Sequence, residues 1–130
     1  MEHYLDIRCW SAGIGAILGS FVGVFDGLLY ALVIFISVDY ITGVMCGIVE
    51  KNLSSGIGFR GIAQKVFILL LVGVAKVLDV NVIGSGSILR SAVICFYISN
   101  EGISIIENAA RIGLPVPQKL RNVMKQLKDK

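Results

Sequence analysis

Four apolar runs separated by short polar breaks fill most of residues 11 to 107. The first, SAGIGAILGSFVGVF from Ser11 to Phe25, covers about 22 Å as a helix, short of a hydrocarbon core about 30 Å thick. The second runs from Leu28 to Val49, the third from Val66 to Ile83 and the fourth from Ile88 to about Ile106. Each of these three is long enough for a tilted helical span. Beyond them, Gly113 can close the fourth segment, and Pro115 and Pro117 separate it from the tail. There Leu120, Val123, Met124 and Leu127 recur at i, i+3, i+4 and i+7, the pattern of an amphipathic helix. The chain therefore reads as one all-α integral membrane domain. A polar leader (1–10) precedes a membrane bundle (11–107) and a basic tail (108–130). Three full transmembrane helices are predicted at about 28–49, 66–83 and 88–107. A short glycine-rich membrane or interfacial helix (11–25) precedes them, and a basic amphipathic helix (117–128) follows.

Composition agrees with this pattern. Of 130 residues, 55% are hydrophobic and 16% charged, and mean hydropathy is +0.81, which excludes an ordinary soluble globule. The placement of charge matters more than the net +3. Lys51, Arg60 and Lys65 lie between the second and third segments, whereas the NVIGSGS turn between the third and fourth has no charge. By the positive-inside rule the first loop and the C-terminus face the cytoplasm. The N-terminus is cytoplasmic if the first segment spans and external if that segment lies in the interface. Lys119, Arg121, Lys125 and Lys128 form a basic tail suited to anionic lipid, and no nucleic-acid partner is expected.

Charges inside apolar segments are costly and mark function or assembly. At 100° per residue, Asp39, Gly43, Cys46, Gly47 and Glu50 share one stripe of the second segment. Lys65, Leu69, Val72, Lys76 and Asp79 share one on the third, and Arg90, Tyr97, Glu101, Ser104 and Asn108 one on the fourth. Depth suggests an ion pair between Asp79 and Arg90 across the Gly-Ser turn and a second between Asp39 and Lys76. Glu101 then lacks a partner within one chain, and Asn100 beside it can share its solvation. Gly15, Gly19 and Gly23, four apart, either let a second helix approach closely or keep a short segment pliable. Gly43 and Gly47 do the former on the second segment.

Other chemistry is sparse. Cys9, Cys46 and Cys95 show neither a disulfide framework nor metal spacing, and the sole histidine, His3, lies in the leader. No nucleophile, base and orienting group converge, so neither an enzyme nor a cofactor is expected. The glycine-rich SGIGFRG and IGSGSIL lack the ending of a phosphate loop and read as turns.

Three stretches carry a resemblance: FDGLLYALVIF, DYITGVMCGIVEKNLSSGIGFRGIAQKV and FYISNEGISIIENAARIGLPVPQKL. The marks are Asp39-Tyr40-x-Thr42-Gly43, Ser54-Ser55-Gly56 leading to Gly61 and Lys65, Asn100-Glu101-Gly102 with Glu107-Asn108, and Gly113-Leu114-Pro115-Val116-Pro117. Over roughly residues 20 to 128 the chain resembles the phage holin family that includes toxin-secretion holins. The resemblance implies a homo-oligomer in the bacterial cytoplasmic membrane that opens lesions and releases endolysin or toxin, without catalytic residues. Asp39, Lys76, Asp79, Arg90, Asn100 and Glu101 become candidates for assembly. A small oligomeric channel or transporter, and a membrane anchor recruiting a soluble partner, are the alternative expectations.

Overall fold

A computed structural model describes residues 2–129, except for the side chains of Met124 and of residues 127–129. Among the described residues there are helices and no strands: α1 (Glu2–Val22), α2 (Gly27–Val49), α3 (Ser55–Leu78), α4 (Ile88–Ile112) and α5 (Gln118–Asp129). Asp79–Ile83 continue α3 as a π-helix.

Local chemistry sets the ends. Asp26 caps α2 by accepting from the Leu29 N–H at 2.9 Å, and Ser54 caps α3 through the Ile57 N–H at 3.2 Å. α4 ends at Gly113, which is left-handed (φ 96°), with Leu114 N–H donating to Ala109 O and Gly113 N–H to Ala110 O. That paired closure is a Schellman motif, as the sequence position of Gly113 predicts. α2 closes the same way, but with Lys51 at φ 58° in the left-handed position.

Four helices, Glu2–Val22, Gly27–Val49, Ser55–Ile83 and Ile88–Ile112, are long and apolar enough to cross a membrane. Two predicted boundaries are thereby corrected. Residues 11–22 of the short segment predicted at 11–25 are the C-terminal part of a 21-residue helix that absorbs the polar leader, and residues 23–25 lie beyond its end. The third span begins at Ser55 and not at Val66, because the Ser54 cap starts a helix within what reads as a polar loop.

α4 is central, packing against α2, α3 and α5, while α1 packs chiefly against α3. Ion pairs at both ends show that α2 and α4 run parallel. Asp26 meets Arg90 at one end (2.9 Å) and Glu50 meets Arg111 at the other (2.6 Å). The core between them is small: Leu29, Leu32 and Ile36 from α2, Ile68 and Val72 from α3, and Ile94 from α4. Most other large apolar side chains point outward. In lipid such surfaces cost nothing, so association rests on close packing and on hydrogen bonds between helices.

Candidate functional site: a charged triad inside the bundle

The three central helices each bring one charge to a common point. Asp39 lies near the middle of α2 and Glu101 near the middle of α4, while Lys65 stands ten residues, about 15 Å at helical rise, beyond the start of α3. Lys65 Nζ donates to Asp39 Oδ2 at 2.6 Å and to Glu101 Oε1 and Oε2 at 3.0 and 2.9 Å. Asp39 and Glu101 are 9% and 3% exposed. One ammonium thus serves two buried carboxylates, leaving one formal negative charge in excess.

The remaining oxygen of Asp39 is also satisfied. Asn108 Nδ2 lies 3.1 Å from Asp39 Oδ1, 3.3 Å from the Asp39 carbonyl and 2.8 Å from Thr42 Oγ1. The Thr42 hydroxyl donates in turn to the Val38 carbonyl at 2.8 Å. Cys46 Sγ donates to the Asn108 carbonyl, tying the α2 stripe to α4 a turn further on. Gly43 lies beneath the Asn108 amide, whose Nδ2 would be 3.9 Å from an added Cβ.

Lys65 reaches the triad because α2 and α3 come close at glycines. A Cβ on Gly61 would sit 3.3 Å from Tyr40 Cε2, and the Tyr40 hydroxyl donates to the Gly58 carbonyl at 3.4 Å. Gly61→Leu is therefore expected to push α3 from the Tyr40 ring and lengthen the Lys65 contacts. Its thermal midpoint in detergent should fall, at an overpacking cost of about 1–3 kcal/mol, whereas Gly56→Ala, which meets nothing within 4 Å, should leave it unchanged.

Two grooves open on the triad and share Asp39, Lys65 and Asn108 in their walls. One, of about 310 Å³, is bounded by Tyr40, Leu53 and Gly61; the other, of about 510 Å³, by Gln64, Tyr97, Asn100 and Glu101. The second is mainly polar and the first mainly apolar with a few polar groups, and both are roomy enough for water. Among the described residues no group of three histidine, cysteine or acidic side chains could hold a metal ion.

Both pairings expected from depth are corrected. Lys76 does not meet Asp39; its ammonium reaches the Ser20 carbonyl in the last turn of α1. Asp79 accepts from the backbone N–H groups of Leu89 and Arg90 at 3.1 and 2.9 Å, capping α4, and not from the guanidinium. The Arg90 side chain instead turns to Val22 O, Val24 O and Asp26 Oδ2 at 3.0, 2.8 and 2.9 Å. Glu101 does have a partner within the chain, Lys65. Helical periodicity puts that lysine on the right stripe, but the apolar run starts only at Val66 and leaves Lys65 in the cytoplasmic loop. The helix cap at Ser54 was the signal that could have drawn it in.

The glycines divide similarly. Gly15 and Gly19 have no neighbour within 4 Å, so no helix packs on them within one chain. Gly23 is a left-handed residue beside Arg90, and Gly47 lies against Leu53, whose Cδ1 would be 3.1 Å from an added Cβ. In the tail, Lys119 is exposed, while Arg121 and Lys125 line a cleft against Ile103, Ile106 and Glu107 of α4. Leu120 and Val123 of α5 are left exposed, and the Lys128 side chain lies outside the described residues.

The ends of the bundle carry ordinary electrostatics. The Arg90 hydrogen bond, helped by the Leu29 N–H, holds the Asp26 carboxyl below its usual value of 3.8, and Arg111 likewise lowers Glu50. A depressed carboxyl contributes stability above its unfolded value and loses it as pH falls through the folded one. The Asp26 contribution should thus persist at neutral pH and vanish only below about 3.8. Melting followed against pH checks this, with Asp26→Asn expected to flatten that acid limb.

Comparison with known proteins places this bundle among relatives. No solved structure matches the chain. A protein of Clostridium perfringens described as an uncharacterised 14.9 kDa protein in the nagH 3' region is 41% identical over 132 residues, covering 100% of this chain and 99% of that protein. An uncharacterised Listeria monocytogenes protein is 46% identical over 112 residues, 86% of this chain and 79% of its own length. A probable holin of Bacillus phage phi105 is 39% identical over 80 residues, 62% of this chain and 58% of that protein. Residues 16–129, which include the triad, Asn108 and both end pairs, match the bacteriophage holin family, and with that match over nearly its whole length the chain belongs to the family.

Proposed function

We propose that the chain acts as a holin: it oligomerises in the bacterial cytoplasmic membrane and opens lesions through which endolysin or a toxin leaves the cell. The observation that carries this reading is the Asp39–Lys65–Glu101 triad, three charges from three helices held at membrane depth with two grooves beside them, the larger one polar. In the resting copy each charge is satisfied by its neighbours and the outer surface is apolar. Buried charge tolerates only two environments, a partner or water. Copies brought together at high surface density can exchange the first for the second, so that the polar stripes line a hydrated opening. Asn100, on the wall of the larger groove, belongs to the same lining. No residue performs a reaction in this scheme.

The orientation that fits it has Lys51, Arg60, Arg111 and the tail on the cytoplasmic side and the Gly-Ser turn outside. With α1 as a fourth span, the N-terminus is also cytoplasmic. Leu120 and Val123 of α5 then face the inner leaflet, with Lys119 available to anionic headgroups.

The grooves within a single copy favour a second reading, a small channel or transporter in which the triad is an ion or proton station. Inducible expression in a bacterium, with membrane potential and turbidity followed in time, separates the two. A holin is expected to remain silent and then collapse the potential abruptly, followed by lysis when endolysin is present. Steady, graded flux from the moment of expression favours the channel, and growth with normal potential at high membrane levels sinks the holin reading.

A further inference from the structure

α1 is attached to the bundle by one end only. Residues 2–20 are exposed throughout, and α1 packs chiefly against α3. Every tie lies in its last turn and the residues just after it. The Phe21 ring occupies the space over Gly73 where any larger residue would collide with it. Lys76 of α3 donates to the Ser20 carbonyl, and Arg90 of α4 to the Val22 and Val24 carbonyls. Arg90 is itself held in place: Asp79 accepts from its backbone N–H, and Asp26 from its guanidinium, which is only 7% exposed.

The chemistry of these contacts is specific. The last carbonyls of a helix have no intrahelical donor, and they carry the negative end of the helix dipole. In or near lipid they need partners from elsewhere. Here two cations from two other helices supply them. Gly23 makes room for this: its φ is +101°, and a Cβ there would stand 2.8 Å from Arg90 Nε. The chain reverses its conformation at the residue over which the guanidinium reaches.

We propose that α1 is an arm hinged at Gly23 and held beside α3 by a cationic clasp of Arg90 and Lys76, separable from the α2–α4 bundle without unfolding it. Breaking the clasp leaves the carbonyls of Ser20 and Val22 without their donors, while Val24 keeps the Asp26 N–H at 2.9 Å, so the end of α1 must move toward water or headgroups. That movement uncovers Gly73 of α3, now beneath the Phe21 ring, and frees the Lys76 ammonium. The device goes beyond lesion formation and holds whether or not the chain kills a cell.

The test is a distance measurement in the full chain in lipid vesicles. One spin label sits on native Cys9, exposed on α1, and a second on Val66→Cys, half-exposed on α3, in a Cys95→Ala background; Cys46 is fully buried. The unmodified clasp should give one narrow separation. Arg90→Gln should broaden it and add longer separations, while a label pair joining α2 and α4 stays unchanged. Should Arg90→Gln disturb the α2–α4 pair as well, Asp26→Asn decides, because asparagine keeps the cap on α2 and removes only the charge facing Arg90. An Asp26→Asn distribution shifted in the same direction supports the clasp. Distributions identical to wild type in the variant that keeps the bundle intact overturn it.

Discussion

Lys65→Met should be the most damaging single change in the chain. Methionine matches the length of the lysine stem but leaves Asp39 and Glu101, both nearly buried, facing each other without a cation. Removing one partner of a buried ion pair costs on the order of 3–5 kcal/mol, a large share of the stability of a small domain. The expected result is a large drop in the thermal midpoint in detergent and loss of accumulation in the membrane. Adding Asp39→Asn and Glu101→Gln to Lys65→Met removes the stranded charges and should recover most of the loss. A Lys65→Met protein as stable as wild type would show that the carboxylates find water in the grooves, and the triad would then be no fold determinant.

The second prediction sets the two carboxylates against each other. Asp39 faces a donor on both sides, Lys65 at Oδ2 and Asn108 at Oδ1. In Asp39→Asn one of the two positions becomes an NH₂ opposed to a donor, and a charge-assisted bond worth about 1.5–3 kcal/mol is lost. Destabilisation and earlier collapse of membrane potential should follow. Glu101 meets only Lys65, so in Glu101→Gln the amide oxygen still accepts, and one ammonium is left with one carboxylate. Balanced charge is cheaper to keep from water, so Glu101→Gln should hold the resting arrangement more firmly and delay collapse. Timing at equal protein level, read by a potential-sensitive dye, checks both. Earlier collapse in both variants would show that charge balance does not govern the opening, and delay in both that the donor conflict at Asp39 does not.

These expectations rest on contacts of which the sequence reveals only half. The stripe Asp39, Gly43, Cys46, Gly47 and Glu50 is legible from helical periodicity alone, and so is the stripe bearing Glu101 and Asn108. Gly113 is legible as a helix end because little else adopts a left-handed closure so readily. What periodicity does not contain is the offset of one helix along another. Depth counted from apolar boundaries placed Lys76 opposite Asp39, an error of three turns, because α3 begins at the Ser54 cap eleven residues before its apolar run. The same miscount hid Lys65 as a loop charge and left Glu101 alone.

Arg90 shows the limit from the other side. The expectation that it meets Asp79 across the Gly-Ser turn is right in place, yet its backbone N–H takes the carboxylate and the guanidinium goes to α1 and Asp26. A five-donor side chain is drawn to the place with most unpaired acceptors, and here that is the end of a helix whose carbonyls only a folded chain brings near.

Sequence alone determined that this protein is helical, that it belongs in a membrane, that each central helix has one polar face and which residues lie on it. Those properties follow from side-chain chemistry and from a period of 3.6, both local. Tertiary structure decided which charges meet, that one ammonium serves two acids, and that α1 is tied at a single end. Pairing depends on the register and approach of helices distant in sequence, set by the Tyr40 ring on Gly61, Asn108 over Gly43 and Phe21 over Gly73. Sub-ångström packing of that kind is a property of the assembled surfaces and not of any one segment.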